Sequence, residues 1–308
     1  TKSVSDFLDL YFENEYVKGA FAFDGIVGNY ADTKTPSSAY VLMHHAFGEV
    51  NGEKGVWGHA IGGMGAITQA MAKSALAKGV EIQTNAAVKK VLVRDGRAYG
   101  VLLENGETLE AKVIASNLNP SLLYNHLVDS SELPVDFARR MKHYKNGSGT
   151  FRMNVALSEL PKFTCLAQQE RATPDHLTGG IIIGATSAYL DKAYRDSQEY
   201  GWSKAPIVEM LIPSTLDDSL APKGQHVASL FCQQFDPNID WDAHRETAAD
   251  LIIDQVDKYA PGFKASVLGR QVLSPLDLER IFGLTKGDIM HGNMSLDQMF
   301  STRPLLGH

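Results

Sequence analysis

Apolar and polar residues alternate most regularly from Phe151 to Leu157, where Phe151, Met153, Val155 and Leu157 are separated by Arg152, Asn154 and Ala156. A period of two is that of a strand with one buried face. Ile181 to Ile183, Ile207 to Ile212 and Val227 to Phe231 are shorter apolar runs of strand length, and together the four predict a mixed sheet of ordinary size. From Trp241 to Tyr259 the period changes. Ala248, Leu251, Ile252, Val256 and Tyr259 recur at helical spacing, with Asp240 as N-cap and Pro261-Gly262 as the stop.

The stretch from Trp57 to Pro120 has a different order. Gly62, Gly63 and Gly65 lead into a small-residue helix over Ala66 to Lys78, with Gly79 at its C-cap. Val80 to Thr84, Val88 to Val93, Tyr99 to Leu103 and Leu109 to Ala115 then read as strands. Asp95-Gly96 and Asn105-Gly106 supply two hairpin turns, because Asn, Asp and Gly tolerate the positive φ that tight hairpins need. At the N-terminus Ser3 and Asp6 form a capping-box pair, and Phe7, Leu10, Tyr11 and Val17 predict one helix ending near Gly19. Ala20 to Gly55 reads as loop, with Tyr40 to Met43 the single buried-looking run.

Composition narrows the class. The chain has 308 residues, 44% of them apolar, enough for a large core or two domains. Its net charge of −7 is spread along the chain, without the basic clustering of a nucleic-acid-binding surface. No apolar run reaches bilayer length, and the first residues lack the order of a secretory signal. Cys165 and Cys232 are far apart, so neither a C-x-x-C redox pair nor a zinc site is spelled out. The cytoplasm is the default compartment, and a start at Thr1 suits a fragment.

Two features carry candidate chemistry. A glycine-rich turn opening a helix lets a ligand approach the main chain, and it equally lets a helix pack close to a neighbour. Thr68 stands where the dinucleotide-binding pattern needs its third glycine, so Gly62-Gly63-Met64-Gly65 is not a pyrophosphate site by itself. Among the histidines, His44 and His45 are adjacent. On a strand they would point to opposite faces and at most one would face a pocket. There is no G-x-S-x-G, H-E-x-x-H or P-loop.

Longer blocks add a resemblance. P-S-S-A-Y-V-L-M-H-H-A-F-G-E (Pro36 to Glu49), G-V-W-G-H-A-I-G-G-M-G-A (Gly55 to Ala66) and V-I-A-S-N-L-N-P (Val113 to Pro120) resemble the phytoene desaturase-related flavoproteins. L-I-P-S-T-L-D-D-S-L-A-P-K-G-Q-H-V-A-S-L-F (Leu211 to Phe231) and H-G-N-M-S-L-D-Q-M-F near the end extend the similarity over nearly the whole chain. The resemblance implies an α/β to α+β fold of the amine oxidase type. Its parts would be an incomplete FAD-binding domain with a β-meander, over residues 58–117 and 277–308, and an inserted substrate domain, over residues 1–57 and 118–276, with a mixed β-sheet flanked by helices.

It also implies a chemistry: hydride transfer between an apolar substrate and FAD. The family's N-terminal G-x-G-x-x-G and C-terminal glycine motif are not in these residues. FAD is therefore expected in an intact parent and weak or absent here. By resemblance Gly62, Gly63 and Met64 would lie near the isoalloxazine, Val88 near the adenine, and Ser116 and Asn117 beneath the cofactor. His44, His291 and Arg303 are the acid/base candidates because their blocks match the family on the cofactor side. The expected partner is a lipophilic or amine-like small molecule, with self-association through the face that the missing segments would cover. A non-catalytic ligand- or partner-binding remnant of the same fold is the alternative.

Overall fold

A computed structural model describes residues 2–166, 173–184 and 186–307. The described strands are, in chain order, β1 (Glu49–Val50), β2 (Glu53–Lys54), β3 (Val88–Arg94), β4 (Arg97–Leu103), β5 (Thr108–Glu110), β6 (Phe151–Leu157), β7 (Ile181–Ile183), β8 (Trp202–Leu211), β9 (His226–Phe235) and β10 (Val267–Leu273). The chain divides into two compact units, Thr1–Thr68 with Gly147–Ile289, and Gln69–Asn146 with Met290–His308.

The first unit is built on the sheet β10-β6-β9-β8-β7. The sequence pattern leads to about four strands in a mixed sheet; the described sheet has five, and every neighbouring pair is antiparallel. The additional strand, Val267–Leu273, contains Gly269, Arg270 and Gln271, so its alternation is too weak to mark it without its partner β6. In β6 the expected alternation is realised in full: Phe151, Met153, Val155 and Leu157 are buried. Across that face lies the amphipathic helix Trp241–Tyr259, whose N-cap Asp240 accepts the Ala243 N–H at 3.3 Å. Trp241, Ala248, Ile252 and Val256 pack into the same core as the β6 side chains. Each fully buried Leu, Ile, Val, Phe or Met there contributes roughly 1.5–3 kcal/mol over its exposed state.

The opposite face of the sheet meets three helices, of which Ala20 to Ile26 and Ser38–Ala46 fall in the stretch expected as loop. Helices Glu15–Ile26, Ser38–Ala46 and Ser187–Tyr200 are present, and Ala22, Phe23, Ile26 and Leu190 pack with Ile207 and Phe231. The expected single N-terminal helix is two. Val4–Leu8 keeps the Ser3 cap, and Asn14 opens the second helix by accepting the N–H groups of Tyr16 and Val17. Gly19 is inside that second helix, and Leu10 and Tyr11 are exposed between the two. Tyr40 to Met43 is helical, its burial coming from one turn of Ser38–Ala46.

In the second unit the meander β3-β4-β5 forms as a three-stranded antiparallel sheet. Asp95 and Gly96 both have positive φ, as a primed hairpin turn requires. At the second turn only Gly106 does, and Asn105 instead accepts the Glu107 N–H through its side chain at 2.9 Å. Two expected strands are corrected. Val80 to Thr84 pairs with no described strand, and Leu109 to Ala115 shortens to Thr108–Glu110. Strand geometry persists only where a ladder satisfies the backbone; the Ala111 N–H still donates to the Tyr99 carbonyl at 2.9 Å, and past it, as at Val80 to Thr84, no strand pairing is present among the described residues. The helix Met64–Ala77, which crosses the boundary between the units, forms as its spacing predicts yet buries no residue. A smaller core of Phe137, Met141 and Tyr144 holds the C-terminal part of this unit.

Candidate functional site

Register across β6, β9 and β8 brings residues distant in sequence into rows. Arg152 pairs with Phe231 and Phe231 with Glu209, while Glu209 pairs with Ile182 on β7. Asn154, Ser229 and Leu211 form the next row on the same face. Directly opposed residues of an antiparallel sheet share a face, and the intervening row of Met153, Leu230 and Met210 points into the core beneath Trp241–Tyr259. The second face is covered at Ile207 and Phe231 by the helix Glu15–Ile26. Arg152, Asn154, Ser229, Glu209 and Leu211 remain half-buried.

Charge is concentrated on that half-covered face. Arg152 Nη2 donates to Ser229 Oγ at 2.8 Å, and the guanidinium carbon is 5.4 Å from the Phe231 ring centroid, a cation–π distance. Burial pulls the Arg152 guanidinium below its ordinary value, opposed by the charge of Glu209. Glu209 is pushed above the usual carboxylate range by burial first and by the charge of Asp24 second, with Arg152 and His45 opposing. Asp24, on the helix Glu15–Ile26, is likewise raised by burial and lowered by His45. Among the described residues neither carboxylate accepts a hydrogen bond or closes an ion pair.

His45 is fixed in orientation. Its Nδ1 lies 2.8 Å from the Val41 carbonyl and its ring stacks on Trp57 at 5.8 Å and 12°. A carbonyl only accepts, so Nδ1 carries the proton and Nε2 is the acceptor in the neutral ring. Asp24, His45, Arg152 and Glu209 thus influence one another through their charges beside apolar surface, a composition that suits a small-molecule site.

The residues singled out from sequence fall in both units. His44 and His45 lie on the helix Ser38–Ala46, not a strand, so they are one helical step apart instead of on opposite faces. His44 is exposed, its ring 6.3 Å from Tyr40. Gly62 and Gly63 both take positive φ, 83° and 77°. Gly62 donates its N–H to Asp217 Oδ2 at 2.6 Å and Gly63 to the Ala60 carbonyl at 2.9 Å. Met64 begins the following helix and is 83% exposed.

In the second unit Val88 opens β3 half-buried, and Ser116 and Asn117 are exposed, Ser116 Oγ accepting the Leu118 N–H at 3.3 Å. His291 is exposed at φ 55°, and its carbonyl accepts the Tyr144 hydroxyl at 3.0 Å. Arg303 spends its guanidinium on main-chain carbonyls of Met290, Gly292 and Gln298. It pins the loop that contains His291.

The donor set of the glycine turn bears on FAD. Both glycine N–H groups are already paired, so Gly62 and Gly63 offer an open, side-chain-free surface for a ring edge and no cradle for a pyrophosphate. Space beside Gly63 is free to 3.9 Å, where the first atom is Leu220 Cδ2. These residues fit one part of the cofactor and not the whole. No group of three or more His, Cys, Asp or Glu side chains among the described residues is placed to hold a metal, and no described helix is long and apolar enough to cross a membrane.

Sequence reasoning missed Asp24, Arg152, Glu209 and Asp217. A signal was present at Glu209, a charge inside the apolar run Ile207 to Ile212. Arg152 carried none, because charges are ordinary on the outward face of an alternating strand.

Comparison with known proteins agrees with this architecture. Residues 4–151 match the family described as flavin containing amine oxidoreductase. The chain is 39% identical over 316 residues to pyridine nucleotide-disulfide oxidoreductase domain-containing protein 2 of Rattus norvegicus, covering 100% of this chain and 54% of that protein. It is 26% identical over 317 residues to a phytoene desaturase (lycopene-forming) of Pseudescherichia vulneris, covering 99% of this chain and 57% of the relative. The chain thus spans about half the length of these curated relatives. A solved oxidoreductase of Methanosarcina mazei shares the fold at a TM-score of 0.61 and 18% identity, over 88% of this chain and 56% of that one. The match over residues 4–151, the relatives aligned over the whole chain and the shared fold make the chain similar to the flavin-containing amine oxidoreductases.

Proposed function

We propose that the protein works as a FAD-dependent dehydrogenase or desaturase, in which the half-covered face of the β6-β9-β8 sheet receives an apolar organic substrate. The observation that carries this reading is the combination, on one sheet face, of apolar side chains with the charged groups Arg152 and Glu209, which Asp24 and His45 influence, in a chain whose residues 4–151 match a flavin-containing family. When bound, flavin supplies a two-electron acceptor for a substrate hydride. The chain's own task is to align the substrate, exclude water and hold protons at the carboxyl oxygens of Asp24 and Glu209 or at His45 Nε2.

These residues hold flavin weakly by themselves, because Gly62, Gly63, Met64, Val88, Ser116 and Asn117 supply no pyrophosphate cradle. Activity then needs groups beyond them. His44 and His291 stay candidates for contact with substrate or cofactor through their exposed rings, whereas Arg303 acts through the loop it pins. The exposed apolar side chains Met64, Met71 and Val113 favour self-association of the chain in isolation.

The test is flavin reduction in a longer protein that carries both family glycine motifs. Replacing Glu209 by Gln should slow reduction by the substrate while leaving flavin bound. Unchanged reduction in that variant would remove the sheet face from the reaction.

A further inference from the structure

We propose that Asp217 is a positioning residue: from the loop between β8 and β9 it clasps Gly62 and so holds the glycine turn, the surface open to a flavin ring edge, in register with the sheet face that receives the substrate. The proposal rests on the reading of that face and that turn under the proposed function, and it names the residue that joins them.

A turn of this kind does not define itself. Gly62 and Gly63 take positive φ, 83° and 77°, and glycine populates positive and negative φ about equally, so the two residues do not select this conformation. Packing selects it little better. Ile61 is 73% and Met64 83% exposed, and the space beside Gly63 is free as far as Leu220 Cδ2. Asp217 supplies the constraint: its side chain is buried, and its Oδ2 accepts the Gly62 N–H at 2.6 Å.

The clasp reaches the sheet through a short series of bonds. Ser219 donates its hydroxyl at 2.6 Å and its N–H at 3.0 Å to Asp217 Oδ1, which orients the carboxylate and leaves Oδ2 for the turn. The Asp217 N–H donates to the Pro213 carbonyl at 3.0 Å. Next to Pro213, Ser214 Oγ accepts the N–H of Val227 on β9 at 3.0 Å, and Thr215 Oγ1 donates to the Ile212 carbonyl at 2.7 Å. Ile212 follows Leu211, which pairs with Ser229 on the substrate-side row. Turn, loop and sheet all belong to one compact unit.

Fastening a loop does not by itself call for this arrangement. Gly62 is exposed, where a main-chain N–H can bond water instead, and the turn closes no core. A buried carboxylate placed on it therefore contributes position. Hydride transfer depends on position, since misplacing the reacting atoms by about 1 Å can cost about a hundredfold in rate.

Two measurements test this. Gly63 donates to the Ala60 carbonyl within the turn, so its amide exchange reports the turn itself and not merely the bond lost at Asp217. In the purified chain, Asp217→Ala should speed Gly63 exchange, followed by NMR, at least about tenfold, while the amides of Val208 and Leu230 inside the sheet keep their protection. In the longer protein with both family glycine motifs, the same variant should raise the dissociation constant for FAD about tenfold, the scale of re-ordering a freed loop on binding. It should also alter the visible circular dichroism of the bound flavin. Asp217→Asn, which keeps an acceptor for Gly62, should recover part of both. Unchanged Gly63 exchange, or a folded Asp217→Ala protein with unaltered FAD affinity and flavin dichroism, would overturn the proposal. Should Asp217→Ala not fold, Ser219→Ala, which loosens the carboxylate without touching the turn, decides by the same readouts. Flavin reduction in Glu209→Gln reads the substrate face separately, so failure of the clasp and failure of the proposed function are told apart.

Discussion

Asp217 Oδ2 accepts the backbone N–H of Gly62 at 2.6 Å, and the same carboxylate accepts the Ser219 hydroxyl and N–H. The carboxylate from the loop after β8 therefore holds the positive-φ turn that opens the helix Met64–Ala77. The Ser219 hydroxyl first, and the Gly62 N–H next, keep the Asp217 carboxyl below the usual range. A depressed carboxyl stabilises the native state above its unfolded value, about 4, and loses that contribution as pH falls through its folded value. Protection of the Gly62 amide from hydrogen exchange should accordingly be full near neutrality and fall in acid. Asp217→Ala should abolish it at every pH, as amide exchange followed by NMR would show.

Glu209 works with the opposite sign. Its carboxyl is raised in the folded state by burial and by Asp24, so the native form binds a proton more readily than the unfolded chain. Stability then declines as pH rises from about 4 through the folded value. Glu209→Gln removes the buried charge and should raise the thermal midpoint at neutral pH, with a flatter pH profile above about 4. A lower midpoint at neutral pH would mean that the charge is stabilising in the native state.

Trp241 anchors the core at the start of its helix. It is fully buried, lies 5.7 Å from Phe151 and 5.8 Å from Phe235, and donates its indole N–H to the Asp236 carbonyl at 2.9 Å. Trp241→Ala should cost about 3–5 kcal/mol, measured by urea denaturation followed by far-ultraviolet circular dichroism.

Arg303 separates a structural from a chemical role. With its guanidinium on the carbonyls of Met290, Gly292 and Gln298, Arg303→Ala should destabilise the second unit by about 1.5–3 kcal/mol, and Arg303→Lys should recover little because an ammonium lacks the planar fork. Limited proteolysis near His291 reports the loss. A variant of unchanged stability would return Arg303 to the acid/base candidates.

The two thiols should differ sharply. Cys165 is exposed, whereas Cys232 is buried and its thiol is pushed up by burial, which keeps it from forming the reactive thiolate. A thiol reagent should titrate one cysteine in the native protein and two after denaturation.

What could be read from the sequence follows the range of the interactions involved. β6 and the helix Trp241–Tyr259 were legible because alternation, an N-cap and a glycine stop are all local. The helix Glu15–Ile26 was not, since its glycines look like breakers until packing is seen: Gly25 lies against Val4, where an added Cβ would come within 2.7 Å of a side-chain carbon. Val80 to Thr84 has strand composition without a described strand partner, and composition cannot supply one. The candidate site was the least legible part. Asp24, Arg152 and Glu209 are joined only by tertiary packing and strand register, and the choice of His45 over His44 turns on one helical step that a strand reading reverses.

The proposed function assigns to these residues a substrate-binding sheet and only part of a flavin's binding surface. Flavin content of the purified chain, measured by absorbance after addition of excess FAD and removal of the unbound cofactor, tests it most directly. The expected result is a colourless protein with far less than one flavin per chain. A yellow protein retaining one FAD per chain would contradict it.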